Sequence, residues 1–186
     1  MIGYAMCGSF CTLTKSVALL EALCAAGYDV QPIMSESVFS LDTRFGEAKA
    51  RVEHVEKVTG KSVIHTVVGA EPLGPKTPLD ALVIAPCTGN TLAKIAGGIT
   101  DSCVTMAAKA HLRCDRPLLV ALASNDALSQ NLQNIARLLL RKQVFFVPMK
   151  QDDPIGKPHS LVADWDALPA ALVAALAGKQ QRPLFR

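Results

Sequence analysis

The chain has 186 residues, half of them hydrophobic, and carries a net charge of +3. That length suits one compact domain, 1–186, burying roughly 70% of its unfolded surface. The small charge, with bases interleaved among acids as in Lys49, Arg51, Glu53, Glu56 and Lys57, offers no stripe for a nucleic acid.

No apolar run reaches the ~18–20 residues that span a bilayer. Met1–Ala5 enters an apolar strand without a basic leader or cleavage site, so a cytoplasmic protein without membrane contact is expected. Six cysteines, at 7, 11, 24, 87, 103 and 114, lie within apolar runs, where thiols behave as small buried hydrophobes. Reduced cysteines are expected. Cys7-x3-Cys11 lacks a second ligand pair, so no metal site is expected.

In chain order, Met1–Met6 reads as a buried strand and Cys7-Gly8-Ser9 as a turn. Leu13–Ala26 has helical spacing at Val17, Leu20, Leu23 and Cys24, and Gly27 is placed to end it. Tyr28–Met34 reads as a strand and Ser35-Glu36-Ser37 as a polar loop, which completes a βαβ unit. Arg44–Thr59 is predicted as a charged helix with Phe45, Val52, Val55 and Val58 inward, closed by Gly60. Lys61–Val68 reads as a strand containing His65, and the proline-rich Ala70–Pro78 as loop. Leu79–Ala85 is a nearly unbroken apolar run, as in the middle of a parallel sheet. Thr88–Ala96 is predicted helical, broken by Gly97-Gly98. A further helix, capped by Asp101 or Ser102, runs to about Arg113.

Pro117–Ala123 reads as a buried strand. Ser124-Asn125-Asp126 forms a turn that can cap a helix through Arg141, and Val144–Val147 is another strand. Gln151–Pro158 reads as irregular loop and Ala163–Ala177 as the closing helix. Strands alternating with helices give an α/β fold, a three-layer α/β/α sandwich around a mainly parallel sheet.

Ligands of open parallel sheets bind beyond the carboxyl ends of the strands. This selects Cys7–Thr12, Ser35–Ser37, Pro86–Asn90 and Ser124–Asp126. In the first, a glycine turn opens a helix whose N–H groups suit a phosphate or carboxylate, with Ser9 and Thr12 adding hydroxyls. A glycine needed for turn geometry alone gives the same pattern. In the third, Thr88 and Asn90 can face a planar heterocycle or cap the following helix, and both can hold together. Ser124, Asn125 and Asp126 are also ordinary capping residues. His54 and His111 are expected at the surface. His159, in the polar loop, is the candidate acid–base residue.

These segments resemble the flavin-dependent, cysteine decarboxylase-like flavoprotein family. The shared frame is Gly8-Ser9, the Ser-bearing loop at Ser35 and Ser37, and an A-P-x-T-x-N-T-x-A-K stretch. That stretch reads Ala85-Pro86-Cys87-Thr88-Gly89-Asn90-Thr91-Leu92-Ala93-Lys94 here. Further blocks are similar to the dipicolinate synthase B branch of the family. They are Thr43-Arg44-Phe45-Gly46, Ala70-Glu71-Pro72-Leu73-Gly74-Pro75, Ala107–Arg113, Ser124–Leu128, Gln151–Pro154 and Lys157–Ala163.

The resemblance implies a Rossmann-like flavoprotein fold assembled as trimers or multiples of trimers. It implies an FMN site in which Gly8, Ser9, Thr12, Ser35 and Ser37 surround the phosphate and ribityl chain. Pro86, Cys87, Thr88, Asn90, Ser124 and Asn125 would lie nearer the ring. The branch implies a partner A subunit with a nicotinamide site, NAD(P), and a small dicarboxylate substrate converted to dipicolinate in the sporulating mother cell. Lys109, Arg113 and Lys157 are the candidate carboxylate partners, by charge and by the blocks they occupy.

Decarboxylases of the family carry a histidine before the A-P-x-T-x-N strand and a P-x-M-N-x-x-M-W motif. This chain has no histidine between His65 and His111, and Ala123–Leu128 keeps only the asparagine. Two alternatives to a catalytic B subunit stand open. One is a non-catalytic assembly module for the A subunit, the other a stand-alone FMN-dependent flavoprotein.

Overall fold

Strands with apolar residues on both sides need cover on both faces, and a parallel sheet supplies that arrangement. The computed structural model of the protein describes residues Met1–Arg186. Its parallel strands are β1 (Ile2–Met6), β2 (Val30–Met34), β3 (Ala81–Cys87), β4 (Leu118–Ser124) and β5 (Val144–Phe146), in the order β2-β1-β3-β4-β5. A short antiparallel pair, β6 (Met149–Lys150) and β7 (Leu161–Ala163), joins the far end of β4 through Ala123 and Ser124.

Side-chain alternation divides the interior into two cores. Ile2, Tyr4 and Met6 of β1 face α1 (Phe10–Ala25), α2 (Glu36–Ser40), α3 (Ala48–Thr59) and α8 (Leu168–Leu176). Ala5 and Cys7, with Leu82 and Ile84 of β3, face α4 (Val67–Ala70), α5 (Gly89–Ala96), α6 (Cys103–Leu112) and α7 (Leu132–Leu139). The expected three-layer, mainly parallel α/β/α architecture is present.

Several local expectations change. Helix α1 begins at Phe10 rather than Leu13, which brings Cys11 and Thr12 into its first turn. Ser35 precedes a one-turn helix instead of a free loop. Helix α3 starts at Ala48, and Phe45 is exposed with the Arg44 guanidinium 4.8 Å above its ring. Lys61–Val68 forms no strand. Only Ile64 bridges β2, while His65 stacks on Phe39 at 3.7 Å. Helix α7 starts after Asn131, because Asp126 is engaged in side-chain bonds and does not cap a helix directly. Ala163 ends a strand, so the closing helix follows only after a 3₁₀ turn at Trp165–Ala167.

His111 is the largest correction. It is fully buried, its Nε2 donating to the Pro117 carbonyl at 2.9 Å while Nδ1 has no partner. Burial lowers its pKa, the bond to the Pro117 carbonyl opposes that shift, and Arg116 adds a smaller lowering. No helix of the protein is long and apolar enough to cross a membrane.

Candidate ligand cleft

The 2-1-3-4-5 order reverses between β1 and β3, and a cleft of about 1320 Å³ opens over the carboxyl ends of the strands. Its first wall is the β1–α1 turn. Ser9 sits at the N-cap of α1 yet makes no side-chain cap bond. Its carbonyl and hydroxyl instead accept from Thr12 Oγ1 at 2.9 and 3.0 Å. The start of a 16-residue helix is therefore left without a side-chain acceptor, an arrangement that favours an anion. A Cβ at Gly8 would come within 2.9 Å of the Ser37 hydroxyl, so glycine lets Ser37 stand close behind the turn, with Ser35 3.1 Å further on.

The second wall is the β3–α5 turn. Thr88 Oγ1 accepts from the Thr91 backbone N–H at 3.2 Å and caps its own helix, which leaves Asn90 exposed at the cleft. Gly89 is wedged against the end of β4. A Cβ there would collide with the Ser124 hydroxyl and stand 2.6 Å from Asn131 Nδ2 and 2.8 Å from Asp126 Oδ1.

Ser124, Asn125 and Asp126 form the third wall, with Asn131 buried behind them. Ser124 donates to the Asp126 carboxylate, and Asn131 Nδ2 reaches both of its oxygens at 2.9 Å. The Ser124 bond, then that of Asn131, holds Asp126 below the ordinary carboxylate range against the opposing effect of burial.

The fourth wall is the β6–β7 hairpin and the 3₁₀ turn. Lys157 and Asp152 pair at 3.0 Å across the hairpin loop. That bond raises the Lys157 pKa and lowers that of Asp152. Asp164 is paired with Arg186 and stands 3.5 Å from Lys150. Trp165 and Asp166 complete this side.

Cys7, Cys87 and Cys103 lie beneath the floor. Burial lifts the Cys7 thiol to about 11, Cys103 to about 12 and Cys87 well above its usual value. They are neutral thiols at physiological pH, unsuited to nucleophilic work. All six cysteines are free.

The cleft thus gathers Gly8, Ser9, Thr12, Thr88, Asn90, Ser124, Asn125 and Lys157 of the residues singled out from sequence. Ser35 and Ser37 stand behind the first turn, while Pro86 and Cys87 are buried below the second. Lys109 and Arg113 are not brought in. Both are exposed on the last part of α6, which ends beside the start of β4, opposite the strand ends that form the cleft. His159 does not line the cleft either. It is exposed in the hairpin loop, where its carbonyl accepts from the Leu128 N–H at 2.9 Å.

Sequence reasoning missed Lys15, Lys150, Trp165 and Asp166. Lys15 had a signal, since it follows Cys11 by four residues and Leu19 follows it by four more, which is one stripe of a helix. The others depend on the hairpin, whose antiparallel pairing no local pattern announced.

The sequence profile of the flavoprotein family matches residues 1–176. The B subunit of dipicolinate synthase from Bacillus subtilis (strain 168) is 45% identical over 184 residues, covering 99% of this chain and 92% of the relative. The crystal structure of the B subunit of dipicolinate synthase from Bacillus halodurans C superposes with a TM-score of 0.91 at 43% identity. It covers 100% of this chain and 95% of that one. The FMN-dependent cysteine decarboxylase SpaF shares the fold, with a TM-score of 0.68 at 23% identity over 94% of this chain and 95% of that one. The chain therefore belongs to the flavoprotein family, in the branch of the dipicolinate synthase B subunit.

Proposed function

We propose that this protein works as the B subunit of dipicolinate synthase in the mother-cell cytoplasm of a sporulating bacterium. The near full-length relation to the Bacillus subtilis protein carries this reading. In the proposed reaction a hydroxylated tetrahydrodipicolinate loses water, then two hydrogens as hydride and proton, and becomes the aromatic pyridine dicarboxylate. The hydride goes to NAD(P)⁺ on the partner A subunit and the proton to solvent, which makes the pair an oxidoreductase.

The cleft is also suited to FMN, the cofactor named for SpaF. The uncapped start of α1, the glycine at position 8 and the hydroxyls of Ser9, Thr12, Ser35 and Ser37 fit its phosphate and ribityl chain. Thr88, Asn90, Ser124 and Asn125 border the space for a ring. When bound, the flavin supplies two-electron redox chemistry. This chain's residues hold the anion, orient the ring and exclude water. No histidine lines the cleft, which favours the synthase reading over a decarboxylase. Assembly as a trimer or multiple of trimers belongs to the same reading, and Val68, Ile99 and Leu132 are exposed apolar side chains available to such contacts.

The test is reconstitution. Dipicolinate should form only when this chain is combined with an A subunit; full activity of A alone overturns the reading. In parallel, titration with FMN should show saturable binding weakened by Asn90→Ala.

A further inference from the structure

Beyond the strand-end turns the cleft continues along one stripe of α1, through Cys11, Lys15 and Leu19, to the Trp165 turn. The charges here are unequally engaged. Asp164 is paired with Arg186 and approached by Lys150, and Lys157 holds Asp152 from an exposed loop. Lys15 is exposed to the cleft and takes part in none of the protein's ion pairs. Its wall also holds the protein's only tryptophan.

An unpaired ammonium, a second ammonium bound by a single exposed carboxylate and an aromatic platform define a ligand class. It is anionic at two points, flat and cyclic. A carboxylate can displace Asp152 from Lys157 at little cost, because exposed ion pairs contribute only about 0–1 kcal/mol.

We propose that the outer half of the cleft is a subsite for a planar cyclic dicarboxylate. Its ring lies against Trp165, one carboxylate is held by Lys15 of α1, and the other is held by Lys157 of the hairpin loop. The assignment rests on the synthase reading and adds Lys15 and Trp165 to it. It separates the substrate from the turn at Gly8-Ser9, so a flavin phosphate and a dicarboxylate do not compete for one anion site.

The experiment is a titration of the whole protein with dipicolinate and, separately, with the monocarboxylate picolinate, followed by the fluorescence of Trp165 and by calorimetry. The wild type should bind dipicolinate saturably with a change in fluorescence, and more tightly than picolinate. Lys15→Ala should weaken dipicolinate about tenfold, bring its affinity close to that of picolinate and leave FMN binding unchanged, while Lys15→Arg restores the preference. A merely structural role for Lys15 would weaken both ligands alike and leave the preference for dipicolinate in place. Equal dipicolinate affinity in wild type and Lys15→Ala overturns the subsite. So does calorimetric binding with silent Trp165, or no binding even with the A subunit present. If dipicolinate still forms in the reconstituted pair and is indifferent to Lys15→Ala, the subsite fails and the synthase reading stands. If A alone makes dipicolinate, the synthase reading fails whatever the titration shows.

Discussion

The two turns that open the cleft are written in the same small, polar residues, Cys7-Gly8-Ser9 and Cys87-Thr88-Gly89, yet their hydroxyls do opposite things. Thr88 is occupied by its own helix, accepting from the Thr91 N–H. Ser9 caps nothing, and α1 begins with its first N–H groups uncapped by any side chain. Their glycines differ as well. Gly8 faces one rotatable hydroxyl, while Gly89 sits among three polar groups that are bonded to one another. One turn is built for its own stability and the other leaves an anion position open.

The contrast is tested most severely at the glycines. Gly89→Ala should destabilise the fold by about 1–3 kcal/mol in urea unfolding, because the new methyl forces apart Ser124, Asp126 and Asn131. Gly8→Ala should change stability by no more than about 0.5 kcal/mol, since the Ser37 hydroxyl can turn away. Equal losses at both sites would break the comparison.

Asp126→Ala should follow, at about 1–2 kcal/mol, by leaving Ser124 and Asn131 without their shared acceptor. The pH dependence has a definite sign. The native state holds Asp126 below its ordinary value of 3.8, so its stabilising contribution is complete above that pH and disappears as pH falls through the lower folded value. Urea midpoints of wild type and Asp126→Ala should differ at neutral pH and converge in acid. A gap that persists in acid would assign the loss to packing rather than to the charged network.

These effects also mark how far the residues could be read without coordinates. Strands β1, β3 and β4 were legible because runs such as Leu82-Val83-Ile84 and Leu118-Leu119-Val120 are apolar on both faces, and the strand-end rule then located Gly8, Thr88 and Ser124. Lys61–Val68 misled because its β-branched residues, Val63-Ile64 and Val67-Val68, sit beyond the edge strand β2, where only Ile64 finds a partner. His111 looked like a polar helix end, but the chain folds back at Pro117 and closes over it. The hairpin wall was hidden for the same kind of reason. Leu161–Ala163 is strand because Ala123 and Ser124 lie opposite it, and pairing across that distance leaves no periodic trace in three residues.

Thr88→Ala comes next, with an expected loss of about 1 kcal/mol for removing a helix cap.

The smallest expected change in stability is at Ser9. Its side chain accepts no backbone N–H of α1, so Ser9→Ala should shift the unfolding midpoint by no more than about 0.5 kcal/mol. Ligand affinity should respond instead. A hydroxyl at an uncapped helix start adds a donor to the backbone groups that would face a phosphate, and losing one such bond should weaken FMN about tenfold. The two variants then form a crossed pair: Thr88→Ala lowers stability more than it lowers FMN affinity, and Ser9→Ala does the reverse. If Ser9→Ala destabilises the fold as much as Thr88→Ala while FMN affinity is unmoved, the first turn is an ordinary helix cap. The anion position must then be sought farther along α1, toward Lys15.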